Sequence, residues 1–492
     1  MVKQAIEKIQ TERTLDPGTP EEWAELRTLA HKMVDGAFDH IEGRREQPVW
    51  QKPPDAVRGA IASEAVPRAG EGAAGAYDSF LHNVLPYAIG NTHPRFWGWV
   101  MGGGDAVGMM AEMLTAAMNP NVGGFDDSAT LVEEQVIRWM AELMGMPEGT
   151  SGLLMSGGTM ANQIGLNIGR FARAGFDIRG EGMRGGAELR VYCSTETHSW
   201  LKKSMELMGM GRASLHVVGV DSGYRMKMDE LKAAVAEDRA VGLKPLCVVA
   251  SAGTVNTGAT DDLWAIADVC EAEGMWFHID GAFGALAYWS EALRPIVRGM
   301  ERADSLAFDL HKWGYMPYDI GCVLVRDAEA HKAAFATGAS YLTAMDRGPV
   351  AGGLYFSDRN VELSRGFRAL KAWMSLKTHG VDALTALVEQ NVEQARYLVR
   401  LVEESEVLEL AAEAPLNIVC FRYRDANDEE NKEILMRLQE SGLAVPSGTV
   451  ISGRFAIRVA NTNHRSRRED FELLVDAVER IGAEVVGEQL NR

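Results

Sequence analysis

Lys312 stands between His311 and Trp313 at the end of the apolar run 305–310. A lysine withdrawn from water loses its proton more readily and becomes an amine nucleophile; a lysine that merely snorkels is the plain alternative. Asp280 closes the apolar run 275–280 and is followed by Gly281 and Ala282. A carboxylate there needs a cationic partner if buried, and a protonated pyridine nitrogen would serve; otherwise it caps a turn. Ser156-Gly157-Gly158-Thr159 opens a helical stretch, where glycines let the backbone approach an anion and the first N–H groups are free to bind it. His198 lies in Thr195–Trp200, just after the run 189–194. Thr254 lies in the small polar turn 252–258. Each segment alone also reads as an ordinary turn or cap.

Together they describe one ligand. A helix start holds a phosphate, an aspartate faces a ring nitrogen, a lysine forms an imine and a histidine stacks on the ring. That combination is what the electron sink of pyridoxal 5'-phosphate requires, with Lys312 carrying it as a Schiff base. All of these residues follow apolar runs, and ligands of open α/β sheets bind beyond the carboxyl ends of the strands.

The elements that must position them follow from the patterning. Candidate strands run over 152–156, 189–194, 214–220, 245–251, 275–280, 305–310 and 321–326, apolar throughout and separated by helical patterns such as 228–238 and 262–274. This implies an α/β fold with a mainly parallel, seven-stranded sheet covered by helices. Helical patterns at 361–379 and 382–404 come next. Strands at 417–423 and 454–460, with helices at 428–441 and 467–482, form a smaller α+β C-terminal domain. Residues 1 to about 60 read as polar and helical, with a capping signal at Thr19–Glu22, and the Pro53-Pro54 pair and the Gly/Ala stretch 69–76 separate them from the rest of the chain. The expected division is an N-terminal helical arm (1–90), a large cofactor-binding domain (91–378) and a small domain (379–492).

The 492 residues are 46% hydrophobic and 24% charged, the composition of a globular protein. A net charge of -19 argues against a nucleic-acid partner. Five scattered cysteines without a CxxC pair fit a reducing compartment. With no apolar leader or membrane-length run, the expectation is a soluble cytoplasmic protein. No HExxH or Cys/His cluster suggests a metal. The glycine-rich stretch 102–108 follows no clear strand and reads as a packed turn.

The segments H-P-R-F (93–96), S-G-G-T-M-A-N-Q (156–163), H-S-W (198–200), A-G-T (252–254), H-I-D-G-A (278–282) and D-L-H-K-W (309–313) resemble the group II pyridoxal-phosphate amino-acid decarboxylases, especially the aromatic-L-amino-acid enzymes. The resemblance spans roughly 20–480. It implies the fold-type I fold and a homodimer with sites at the subunit interface. It also implies Lys312 as the imine lysine, Asp280 at the ring nitrogen and His198 on the ring. Gly158 and Thr159 fall at the phosphate, Ala282 behind the ring and Thr254 near its face, with His311 a further phosphate contact. Asp309 stands where some relatives carry an asparagine that binds phosphate; a charged aspartate would repel that group, so it is not given the role.

A mobile loop is expected within 337–360. The family's loop carries a tyrosine that reprotonates Cα. A gapless count puts Phe356 there, with Tyr355 beside it and Tyr341 a further candidate; Tyr355 is taken as the acid. A phenylalanine at that position is associated in the family with oxidative formation of an aldehyde. Phe96, Trp97 and Trp99 are the expected substrate wall, favouring an aromatic L-amino acid. Arg95 would instead suit an acidic one, glutamate or aspartate. A carbon–carbon lyase acting on a phosphorylated sphingoid base and a non-catalytic cofactor carrier are weaker alternatives.

Overall fold

The computed structural model describes residues 14–337, 347–351 and 355–490. The chain forms two compact units, Met1–Gly90 and Asn91–Arg492. The first carries the helices Pro20–Glu42, Asp55–Ser63 and Gly72–Asn83. Its capping signal is realised: the Thr19 hydroxyl accepts from the Glu22 amide, and the Glu22 carboxylate accepts from that of Thr19. The Gly/Ala stretch is more than a break, because it starts the third of these helices.

The second unit contains two sheets. Its strands are β1 (Phe96–Trp97), β2 (Ser151–Met155), β3 (Leu189–Ser194), β4 (Leu215–Val218), β5 (Lys244–Ser251), β6 (Trp276–Asp280), β7 (Ser305–Asp309), β8 (Gly321–Val325), β9 (Leu408–Leu410), β10 (Ile418–Tyr423), β11 (Val445–Ile451) and β12 (Arg454–Ala460). The large sheet has the order β2-β8-β7-β6-β5-β3-β4. Strands β4, β3, β5, β6 and β7 are parallel, whereas β8 runs antiparallel to both β7 and β2. Every residue of β2, β6, β7 and β8 is buried. Continuous apolar runs of this kind suit strands covered on both faces.

The small sheet has the order β1-β11-β12-β10-β9 and is not built from the C-terminal segment alone. Phe96 and Trp97 pair in parallel with Val445 and Pro446, so a strand from the start of the unit closes its edge. Trp97 stacks on Phe471 with ring centroids 4.8 Å apart, inside the small domain's own core.

The expected helix over 361–379 begins only at Ala369. The preceding residues are committed to long-range polar contacts. The Arg365 guanidinium, fully buried, pairs with Glu133 and donates to Val122 O (2.9 Å) and Leu154 O (2.6 Å). Its amide donates to Asn121 Oδ1 at 2.9 Å.

The five cysteines are free and buried. Among the described residues no helix is long and apolar enough to cross a membrane, and no group of three or more His, Cys, Asp or Glu could hold a metal ion.

Candidate active site

Strands β7, β6, β5 and β3 are consecutive neighbours, and their carboxyl ends open on one side of the sheet. The residues at and after those ends line a cavity of about 250 Å³: Lys312 after β7, Asp280 and Ala282 at β6, Thr254 after β5, and His198 after β3. Gly158 and Thr159, at the start of the helix Gly158–Arg173, complete its floor. One strand-end rule therefore gathers residues more than a hundred positions apart.

The geometry fits pyridoxal phosphate at both ends. Asp280 Oδ2 accepts from the Trp200 indole N–H at 2.6 Å, and Oδ1 accepts from the Ala282 amide at 3.1 Å. Two fixed donors orient the carboxylate and leave lone pairs for a ring N–H. At the other end, the first amides of the helix Gly158–Arg173 lack intrahelical acceptors and form an anion cradle. Gly158 must be glycine, because a Cβ there would lie 2.7 Å from Asp309 Oδ2. The glycine-rich stretch 102–108 packs behind the lysine turn: a Cβ on Gly102 would meet both His311 O and Lys312 O at 2.4 Å.

Lys312 Nζ lies 2.7 Å from Asp309 Oδ2. The His198 ring opens to the cavity, yet burial of its surroundings lowers its pKa, with Asp280 opposing that shift. Its Nδ1 accepts from the Trp200 amide at 3.3 Å, which leaves the hydrogen of the neutral ring on Nε2. His311 Nδ1 accepts from the Ile320 amide at 2.9 Å, and burial brings its pKa down to about 4. Thr254 is buried, with its hydroxyl 3.1 Å from that of Thr257.

A directional chain that the sequence did not announce supports the cradle. The Trp276 N–H donates to Ser305 Oγ (2.8 Å), Ser305 faces His278 Nδ1 (2.7 Å), His278 Nε2 faces Asn162 Oδ1 (2.8 Å), and the Asn162 amide donates to Gly158 O (2.8 Å). The chain accommodates a neutral His278, whose pKa burial lowers to about 4.

Burial likewise lowers His464 to about 4 and His331 to about 3. These histidines stay neutral in the folded chain and take up protons when it unfolds. Their contribution to stability is complete above an unfolded value of ~6.5 and is lost as the pH falls toward about 4. Asp261, raised to about 6 by burial, opposes them below that pH. The midpoint of thermal unfolding is expected to drop on acidification from about pH 7 to about pH 5. His331→Gln should reduce the accompanying proton uptake by about one. A midpoint that stays level over this range would contradict the assignment.

Of the expected substrate wall, only Trp99 reaches the cavity, beside Val100 and Phe283. Trp99 is half-exposed and has a left-handed backbone (φ 52°), rare for a bulky residue; the Arg458 guanidinium holds its carbonyl at 2.7 Å. Phe96 is buried outside the cavity lining, and Trp97 donates from its indole to Ser466 Oγ (3.0 Å) in the small domain core. Strand alternation sends these neighbours to opposite faces, so three nearby aromatic residues could not share one wall. Arg95 is likewise committed elsewhere, donating to Leu443 O (2.7 Å) and lying 3.5 Å from Asp470. Phe356 is fully buried with the Arg365 guanidinium 4.7 Å from its ring centre, and the Tyr355 hydroxyl donates to Val350 O at 2.8 Å. Neither lines this cavity, and Tyr341 lies outside the described residues. Trp200, Asn162, Glu196 and Phe283 line it without having been singled out from the sequence.

Residues 63–424 match the pyridoxal-dependent decarboxylase conserved domain. An aromatic-L-amino-acid decarboxylase of Bacillus atrophaeus is 31% identical over 471 residues, which cover 94% of this chain and 96% of the relative. The acidic amino acid decarboxylase of Bos taurus is 30% identical over 426 residues, covering 82% and 80%. The crystal structure of Oryza sativa TDC with PLP and tryptamine matches with a TM-score of 0.87 at 25% identity, covering 96% of this chain and 99% of that one.

Proposed function

We propose that this chain, which belongs to the pyridoxal-dependent decarboxylase family and is a pyridoxal 5'-phosphate-dependent amino-acid decarboxylase, acts on an aromatic L-amino acid such as tryptophan, tyrosine, phenylalanine or dihydroxyphenylalanine. The lining of the cavity carries this reading. Trp99, Val100 and Phe283 offer flat apolar surface, no arginine is among the described lining residues, and Glu196 places a carboxylate where an acidic side chain would be repelled.

Pyridoxal phosphate, when bound, supplies an electron sink for the pair left at Cα as the substrate carboxylate departs as carbon dioxide. Lys312 would hold the group through Nζ and yield it to the substrate amine. Asp280, fixed by Trp200 and Ala282, would keep the proton on the ring nitrogen. Gly158 and Thr159 would hold the phosphate through the helix start, with His311 beside them. Neutral His198 would lie flat on the ring, and Thr254 would close its far side.

Tyr355 is the proposed acid that returns a proton to Cα. Burial of Phe356 supports this choice, since a ring packed in the core cannot serve a site. Tyr355 would act on a second copy of the chain in a homodimer with sites at the subunit interface. Exposed Met113, Leu114, Met118 and Leu131 provide apolar surface for such a partner. Tyr355→Phe is expected to cut amine formation by ~100-fold. Product analysis with peroxide detection reads the result; an unchanged amine rate would remove Tyr355 from the mechanism.

The test of the substrate is turnover, followed by released carbon dioxide, across tryptophan, tyrosine, phenylalanine, dihydroxyphenylalanine, glutamate and aspartate. Aromatic substrates should lead. Preference for glutamate or aspartate would overturn the aromatic reading and leave the cofactor assignment standing.

A further inference from the structure

The turn that carries Thr254 is closed on itself and held from outside. The Thr254 amide donates to Ala259 O at 2.7 Å and the Gly258 amide to Thr254 O at 2.9 Å, with Asn256 between them. Three strands of the small sheet then reach Asn256. Its carbonyl accepts from Cys420 Sγ on β10 (3.2 Å) and from Arg458 Nε on β12 (3.2 Å). Its side-chain Oδ1 accepts from the Thr449 hydroxyl on β11 at 2.9 Å. The Asn256 amide nitrogen donates to Glu196 Oε2 at 2.9 Å. The amide can stand only this way round, because a carboxylate offers no hydrogen to an oxygen.

Glu196 is half-buried and lines the cavity together with Trp99 and Val255. Among the described residues, the bond from Asn256 is the only hydrogen bond or ion pair that its carboxylate makes. A long side chain with no partner spreads over its rotamers, and one charge-assisted bond is what confines this one. The chemistry of the partner matters as much as its place. A lysine or arginine would cancel the charge it held, whereas a neutral amide fixes the carboxylate and leaves it negative. Arg458 also sets this wall beside the aromatic one: its guanidinium donates to Trp99 O at 2.7 Å as well as to Asn256 O. Arg458 itself is buried and is not among the lining residues.

We propose that Asn256 is a positioning residue for substrate choice: held by the small sheet, it fixes the Glu196 carboxylate at the cavity wall, where that charge discriminates against acidic L-amino acids. Like charges facing each other across a partly dry cavity repel strongly, and the repulsion depends on where the fixed charge is kept. This inference rests on the substrate reading given above for the direction of the preference.

The experiment measures kcat and KM for tyrosine and for glutamate with the cofactor-loaded enzyme, and the inhibition constant of glutamate against tyrosine. Glu196→Gln should improve glutamate relative to tyrosine by ~10-fold or more, because it removes the like charge and keeps the shape. Asn256→Ala should shift the preference the same way by about fivefold, the worth of one lost hydrogen bond to a charged group. The shift should appear in the KM and inhibition constant of glutamate, with kcat for tyrosine changed less. Added to Glu196→Gln, Asn256→Ala should contribute little more, since both act through one group. Thr449→Val removes only the hydroxyl that orients the Asn256 amide and should give a smaller shift of the same sign, about twofold. It also keeps the test decisive if Asn256→Ala folds poorly. An Asn256→Ala protein that loses kcat equally for both substrates, with the preference unchanged, would make Asn256 a structural part of the turn and overturn the proposal. So would a full second shift in the double variant, or a Glu196→Gln protein with unaltered preference. Each comparison is between proteins, so a wild type that prefers glutamate would overturn the aromatic reading alone, and the shifts would still decide the role of Asn256.

Discussion

Lys312→Ala is expected to abolish the visible absorbance of the covalently held cofactor and to lower turnover by ~10^4-fold or more, a loss of about 5 kcal/mol of transition-state stabilisation. Among the described residues no other amine lines the cavity to take over. Lys312 is also held in place from behind: Trp313 is fully buried and its indole donates to Asn391 Oδ1 at 3.0 Å, which fixes the turn. The same substitution strands Asp309 without its cation, so it should destabilise the fold by ~3 kcal/mol. Adding Asp309→Asn to the Lys312→Ala protein should restore most of that stability and none of the activity. Thermal unfolding of the two single variants and the double variant separates the two effects, because coupling between contacting residues appears as non-additivity. Full turnover by Lys312→Ala would remove the lysine from the chemistry.

Asp280→Asn is expected to lower kcat/KM by ~10^3-fold, about 4 kcal/mol, with the protein still folded and still coloured. Asparagine keeps the shape of aspartate and can still accept from Trp200 or the Ala282 amide. What it cannot supply is the negative charge that keeps a proton on the ring nitrogen, and without that proton the ring is a poor electron sink. Trp200→Phe removes one of the two donors that orient Asp280 and should cost far less, since the Ala282 amide remains. Equal losses in both variants would indicate that orientation, not charge, is what Asp280 contributes. Kinetics on the best substrate, with bound cofactor quantified by absorbance, reads this out.

The large sheet was legible because its strands are buried on both faces and appear as apolar runs. The run 189–194 coincides with β3, and the other six expected strands begin and end within two residues of those observed. β1, β9 and β11 were not expected: two are very short, and β11 contains Pro446, Ser447 and Gly448, which carry no strand signature. The helix over 361–379 was overextended because Arg365 is spent on Glu133, a partner 232 positions away that no local pattern reveals. The residues after strand ends came together as expected. The substrate wall did not, because Phe96 and Trp97 belong to a strand whose partner, β11, lies some 350 residues further along the chain.

β1 also ties Trp99 and the residues around Lys312 to different sheets of one compact unit. Trp99 follows a strand hydrogen-bonded into the small sheet, and its carbonyl is tied to Arg458 on β12. Lys312 and Asp280 sit on the ends of β7 and β6 in the large sheet. The Trp99 indole and the Lys312 amine therefore reach the cavity from different sheets, while Phe283 reaches it from the same side as Asp280. A substitution at Arg458 therefore acts on the cavity at a distance, through the carbonyl of Trp99 and not through the strand ends that carry Lys312 and Asp280.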